Sequence, residues 1–230
     1  MKDYYLLMAV AAILIFGAVK GYMRGFLRLA VWFAGIIAAL FIVTKISPYA
    51  SDFIIKNTNV YDRIRQKIVT AYVNSSSNDS ETATSSGNDD ARIDSFGFPA
   101  LISDSLKINN TSEIYKKLAA SLFEEYISGY LASLSIRAGT FVGLFVILAI
   151  TEAALILAIR ILERIPVLRT FNRLLGMATG ITLSLVFIWL FFLAVMMFFG
   201  DSFGRWVFSQ VSSSRLLTYI FNNNILFELI

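Results

Sequence analysis

One carboxylate interrupts an otherwise uncharged run of the chain, and such a residue can carry a proton or an ion. Glu152 is the only charged residue between Ala138 and Ile159. A charge at the centre of a membrane helix costs about 2.5–3.5 kcal/mol, so Glu152 is either a proton or ion site, the partner of a cytoplasmic arginine such as Arg160, or a protonated group packed in a bundle. Because Arg160 follows after only about two helical turns, we expect Glu152 nearer the inner interface than the midplane, which favours the two structural roles.

Serine and lysine are the other candidates for covalent chemistry. The chain has no cysteine and no histidine, which excludes thiol nucleophiles, histidine bases and Cys/His metal sites. A Ser–Lys pair is conceivable near Lys107 and Ser105, but nothing marks a strand–turn–helix elbow or an oxyanion hole. No dinucleotide or P-loop pattern is present. The sequence therefore predicts a protein that is not an enzyme and holds no metal or cofactor.

Cations and glycines recur at a spacing of four in two places. The first place is Gly17 to Arg28, and the second begins at Arg173. The first place holds Gly17, Lys20, Gly21, Arg24, Gly25 and Arg28, with Phe26 after the last glycine, and the second holds Arg173, Gly176 and Gly180, with the small residue Ser184 continuing the spacing. Glycines four apart let helix backbones approach closely in lipid. The commoner explanation is packing within the chain's own bundle, and the alternative is a face for self-association or a protein partner.

The elements that must position these residues are membrane helices. The chain of 230 residues is 57% hydrophobic and only 16% charged, against about 25% charged for soluble domains. Four runs have at most one charge: Tyr4–Val19, Leu29–Thr44, Ala138–Ile159 and Leu174–Gly200. A spanning helix needs roughly 20 residues, so the first two runs must borrow neighbouring residues. We predict an all-α, polytopic membrane protein with four transmembrane helices and no nucleic-acid partner.

The short basic loops predict the orientation of these helices. Lysines and arginines lie between the first and second helices and between the third and fourth, the latter being Arg160, Arg164, Arg169 and Arg173. Positive short loops stay in the cytoplasm, so the N- and C-termini should be extracytoplasmic. The predicted domains are a first hairpin (1–44), an extracytoplasmic loop (45–137), a second hairpin (138–200) and an interfacial tail (201–230).

Within the predicted extracytoplasmic loop, residues 74–90 are serine-rich and too polar to form a core, which predicts a disordered linker. Short amphipathic helices should flank this linker, the first starting near Asn59 and the second near Asn110. The tail alternates polar and aromatic residues and is predicted to form a pair of interfacial helices.

Two stretches resemble the colicin V production (CvpA) family. "GYMRGFLRLAVWFAGIIAALF" (Gly21–Phe41) resembles the G-x-x-R-G-F-x-R motif that follows that family's first helix. "FNRLLGMATGITLSLVFIW" (Phe171–Trp189) resembles its second motif, at the start of the last helix. The chain departs from the family pattern at Leu29 and at Leu183-Ser184, and its outward loop is longer.

The resemblance implies a multi-pass protein of the bacterial inner membrane with no enzymatic activity in its helices. It also implies an accessory or scaffold role in toxin production or export, or in maintenance of the cell envelope. A small transporter or channel component that uses Glu152 is the alternative.

Overall fold

The computed structural model describes residues 5–73, 89–110, 123–158 and 169–230, and this part of the chain consists of helices joined by short turns, without strands. In chain order the α-helices are α1 (Tyr5–Arg24), α2 (Phe26–Asn57), α3 (Val60–Ile68), α4 (Asp89–Ser95), α5 (Ala100–Ile108), α6 (Phe123–Ala158), α7 (Arg169–Met196), α8 (Ser202–Ser213) and α9 (Arg215–Asn222). A π-helical turn (Val69–Val73) follows α3, and a 3-10 helix (Ile225–Leu229) follows α9.

Among the described residues, four helices are long and apolar enough to cross a membrane: α1, α2, α6 and α7. Their outer surfaces expose large apolar side chains, as on α1, where Ile15 and Phe16 are each more than half exposed. Water would penalise such a surface, whereas lipid solvates it. The protein is therefore an all-α, multi-pass membrane protein, as predicted. The sides on which its termini lie stay a prediction.

The second helix is longer than the sequence predicted. It does not end at Thr44 but continues to Asn57, through Lys45 and Pro48. The reason is a stripe of buried side chains at helical spacing, which changes from apolar to serine along the helix: Ile36, Ala39, Val43, Ser47 and Ser51. The stripe packs on α6 and α7, and this packing outweighs the backbone hydrogen bond that Pro48 removes.

The third spanning helix also begins earlier than predicted. The segment around Tyr126, predicted as a separate short helix, is continuous with the membrane span, so that α6 starts at Phe123 and not at Ala138. Its first half is buried by the neighbouring helices, and the Tyr126 hydroxyl donates to the Leu106 carbonyl oxygen at 2.6 Å. Further along, the buried hydroxyl of Ser135 donates to the Met196 carbonyl oxygen of α7 at 2.8 Å.

The helices α3, α4, α5, α8 and α9 form a cap with the first half of α6. Aromatic rings in contact run through its centre in the order Tyr72, Phe98, Phe199, Phe208, Phe221 and Phe192, with centroids 5.0–6.1 Å apart. Burial raises the pKa of Tyr72 to about 12, although the nearby Arg205 guanidinium opposes the shift. The interior of the cap is thus a buried aromatic core.

The C-terminal tail docks on this core. Val207, Phe208 and Val211 of α8 are buried, as are three apolar residues of α9. The Trp189 indole N–H donates to the Ile220 carbonyl oxygen (2.9 Å), and the Asn224 amide donates to the Trp189 carbonyl oxygen (3.2 Å). The two helices predicted for the tail therefore exist, with one face packed against protein.

Several loop predictions fall outside the described residues. These are the linker over 74–88 and most of the amphipathic segment that was predicted to start at Asn110. Asp89 and Asp90, the last two residues of the predicted linker, begin α4. The other flanking helix is confirmed as α3, which starts at Val60 beside Asn59.

Candidate functional site

The first basic stretch folds into a turn of one residue between two helices. Gly25 alone separates α1 from α2, and its N–H donates to the Gly21 carbonyl oxygen at 2.9 Å. Its backbone angles (φ 77°, ψ 161°) lie in a region that only glycine adopts without strain. A Cβ at this position would also clash with the Asn172 amide at the start of α7. The backbone conformation therefore requires glycine at this turn, whereas the Asn172 side chain can move away from an added Cβ.

The glycines of α1 and those of α7, each series spaced four residues apart, pack against each other, and the two helices are antiparallel. We call each series a glycine ladder. A Cβ built on Gly21 would clash with the Gly176 carbonyl oxygen and lie 3.0 Å from the Gly180 Cα. A Cβ on Gly17 would meet Ser184 and lie 2.7 Å from the Gly180 carbonyl oxygen. Residue numbers that rise along α1 thus pair with numbers that fall along α7. The ladders form a contact within this chain, and we name it the α1–α7 glycine contact, made by Gly17, Gly21, Gly25, Gly176, Gly180 and Ser184.

The cations stand around this contact and point outward. Lys20 places its ammonium 4.7 Å from the centre of the Phe16 ring on its own helix. Arg173 of α7 places its guanidinium 5.6 Å from the centre of the Tyr22 ring of α1. Arg24 is exposed at the end of α1. Phe26 is the first residue of α2, and Arg28 lies in its first turn, with a side chain outside the described part. The structure thus brings both basic stretches to one end of the bundle.

Glu152 does not join this group. Its carboxylate rests on the backbone of α2 at Gly35, where an added Cβ would lie 2.8 Å from the nearer oxygen. Gly35 is six residues, at most about 9 Å, from Leu29, where the span of α2 begins. Within the described residues no cation forms an ion pair with Glu152, and Arg160 lies outside them. Glu152 therefore contacts the part of α2 that is near the Gly25 turn, and its depth in the bilayer stays a prediction.

Three further residues of the site were not identified from the sequence: Gly35, Asn172 and Tyr22. Gly35 carries a signal, because an isolated glycine in an apolar helix often marks a close approach. The sequence has no signal for Asn172 or Tyr22, because each makes its contact only once α1 packs against α7. A third glycine pair, Gly139 and Gly143, is less tightly packed. The atoms nearest to a Cβ on Gly139 would be those of the flexible Met197 side chain, and a Cβ on Gly143 would meet nothing within 4 Å.

One short pattern also escaped the sequence reading. Gly200-Asp201-Ser202-Phe203-Gly204 has the G-x-S-x-G spacing of a nucleophile elbow. In the structure it joins α7 to α8, whereas an elbow needs a strand before the serine. Gly200 packs against Lys67 of α3, whose ammonium lies 3.2 Å from the Asp201 carboxylate. These residues therefore connect the membrane bundle to the cap, and they do not form a nucleophile elbow.

Comparison with known proteins supports the resemblance found in the sequence. The model of the family described as "Colicin V production protein" matches residues 8–76. The matched range covers most of α1, all of α2 and α3, and therefore the whole Gly25 turn. The second motif, Phe171–Trp189, lies outside the matched range, although its glycines pack on those of the first. No curated protein and no solved structure matches the chain.

Proposed function

We propose that this chain is a non-enzymatic scaffold or accessory protein of the colicin V production type in the bacterial inner membrane. Its role would be in the production or export of a peptide toxin, or in maintenance of the cell envelope. The observation that carries the proposal is the α1–α7 glycine contact. It packs the family-matched turn closely against the start of α7 and leaves Arg24 and Arg173 exposed at the same end of the bundle, which suits a membrane protein that positions partners.

A transporter or channel component is the second candidate, because the carboxylate of Glu152 lies within the bundle with no paired cation in the described part of the chain. Intramembrane carboxylates mark proton and ion pathways by default. A proton relay usually needs more than one carboxylate. The contact of Glu152 with Gly35 is also consistent with a structural role. The first candidate therefore has the stronger support.

Complementation distinguishes the two candidates. In a strain that lacks this gene and carries a colicin V-type export system, we expect Glu152→Gln to restore toxin release and detergent resistance to within about twofold of the wild type, because a scaffold needs no ionisable group there. The native gene is the positive control. Loss of complementation by a Glu152→Gln protein that reaches normal membrane levels would favour the transporter. If gene loss changes neither phenotype, the scaffold proposal is wrong.

The proposed orientation has a direct test, which is simple because the chain has no native cysteine. Met23, beside the Gly25 turn, is 75% exposed, and Asn59, at the other end of α2, is exposed. In intact spheroplasts a membrane-impermeant maleimide should label Asn59→Cys at once and Met23→Cys only after permeabilisation, because positive short loops stay inside. Adding Arg24→Glu with Arg28→Glu should increase the fraction of Met23→Cys that is labelled from outside. Equal labelling of the two cysteines before permeabilisation would refute this orientation.

A further inference from the structure

An apolar groove runs along α1 beside the glycine contact. Its cavity of ≈ 280 Å³ is bounded by α1, by Leu29 at the start of α2 and by α7. Ile13 and Phe16 of α1 and Phe187 of α7 line it, and each is between 45% and 62% exposed. Because these faces belong to spanning helices, the groove opens sideways to lipid. Small-molecule pockets usually have volumes of about 300–1,000 Å³, and this groove is slightly smaller. It can therefore hold part of one narrow apolar chain.

The length of the groove matches one leaflet of a bilayer. It extends along α1 from Ile13 to Arg24, a distance of about 16 Å at 1.5 Å per residue. Half of a hydrocarbon core of about 30 Å is about 15 Å. An acyl chain that enters the groove would therefore span it from the Gly25 turn to the middle of the bilayer.

Positive charge is concentrated at one end of the groove. Lys20 and Arg24 both line it, four residues apart and so on one face of α1. Within the described part of the chain neither forms an ion pair with a carboxylate. The Phe16 ring, 4.7 Å from the Lys20 ammonium, holds that cation at the groove wall. Two cations at the headgroup end of an apolar channel complement a lipid phosphate.

We propose that the groove binds one anionic phospholipid, from the leaflet that holds the Gly25 turn. An acyl chain lies along the edge of the glycine contact, and Lys20 and Arg24 hold the phosphate. The bound lipid covers the apolar side chains that line the groove there, Ile13, Phe16 and Phe187. This inference is independent of the toxin-export or envelope role, since it concerns the lipid that the bundle binds whatever its partners are.

The test uses the full chain purified in a neutral detergent. Phosphatidylglycerol is titrated in, phosphatidylcholine serves as the zwitterionic reference, and the thermal midpoint reports binding, because a ligand of the folded state stabilises it. We expect phosphatidylglycerol to bind more tightly than phosphatidylcholine. Each membrane-proximal cation contributes about fivefold to such binding, so Lys20→Gln with Arg24→Gln should weaken phosphatidylglycerol binding about 25-fold. Both side chains are exposed, so the double variant should keep the fold.

The matched control is Lys45→Gln with Lys56→Gln. It removes the same charge from α2, where Lys45 stands over Phe41 much as Lys20 stands over Phe16. This variant should bind phosphatidylglycerol like the wild type. A second variant, Leu183→Trp, fills the groove but keeps both cations, and it should also weaken binding.

Three results would overturn the proposal. The first is equal binding of the two lipids by the wild type. The second is equal loss of binding in the control and in the Lys20/Arg24 variant. The third is stabilisation by glycerol phosphate, which has no acyl chain, to the same extent as by phosphatidylglycerol.

Discussion

Replacing Phe199 by alanine should destabilise the protein by about 3–5 kcal/mol, the usual cost of removing a buried phenylalanine. Phe199 is fully buried at the centre of the cap, with its ring 5.1 Å from that of Phe208 and 5.8 Å from that of Phe98. It lies just after α7 and contacts both the loop helices and the tail. Its loss should therefore loosen the cap on both sides of the junction.

The measurement is the free energy of unfolding in mixed micelles, followed by tryptophan fluorescence. Tyr219→Ala is the control, because it also removes an aromatic ring but from a side chain that is 70% exposed, and it should cost less than about 1 kcal/mol. Phe199→Leu should fall between the two, since it keeps most of the apolar volume. Equal effects of Phe199→Ala and Tyr219→Ala would show that the aromatic core does not stabilise the cap.

Gly180→Ala should disrupt the packing of α1 on α7 and cost about 1–3 kcal/mol, the usual cost of overpacking a well-packed site. The added methyl would clash with the Gly17 carbonyl oxygen and lie 3.0 Å from the Gly21 Cα. Both contacts are with backbone, which cannot rotate away as a side chain can. The helices must therefore separate, and the effect should lie at the upper end of this range.

Gly143→Ala is the matched control for this change. Gly143 also lies in a spanning helix, but a Cβ there meets nothing within 4 Å. The same chemical change should be neutral or slightly stabilising, because alanine favours a helix by about 0.5–1 kcal/mol over glycine. Unfolding in mixed micelles measures both variants. Should Gly180→Ala prove as stable as Gly143→Ala, the close approach of α1 and α7 would be wrong.

The sequence was sufficient to predict the helices and the kind of contact they make. A long uncharged run in lipid must form its backbone hydrogen bonds within itself, which favours a helix. Glycines four residues apart indicate that another helix backbone approaches closely. It could not say which helix each ladder meets. Gly17 and Gly139 open similar patterns, yet a Cβ on the first would clash with the Gly180 backbone, whereas the atoms nearest to a Cβ on the second belong to the flexible Met197 side chain. The difference arises from the arrangement of four helices in space.

Helix ends were harder to predict, for a related reason. Lys45 and Pro48 are ordinary signals of a helix end, and α2 continues past both because Ser47 and Ser51 are buried in the face that packs on its neighbours. Small polar residues of this kind read as loop in a sequence. The contact of the Glu152 carboxylate with Gly35 could not be predicted from the sequence either, because the two residues lie on different helices.

The α1–α7 glycine contact also constrains how the protein is made. Gly25 and Gly176 are separated by about 150 residues, and a ribosome adds about 5–20 residues per second. The first helix therefore waits about 8–30 s after its synthesis, in contact with the insertion machinery or with lipid, before its partner emerges. Throughout that delay its grooved face is uncovered, so the newborn chain is most vulnerable to membrane proteases and to wrong helix pairing until its last quarter has been translated.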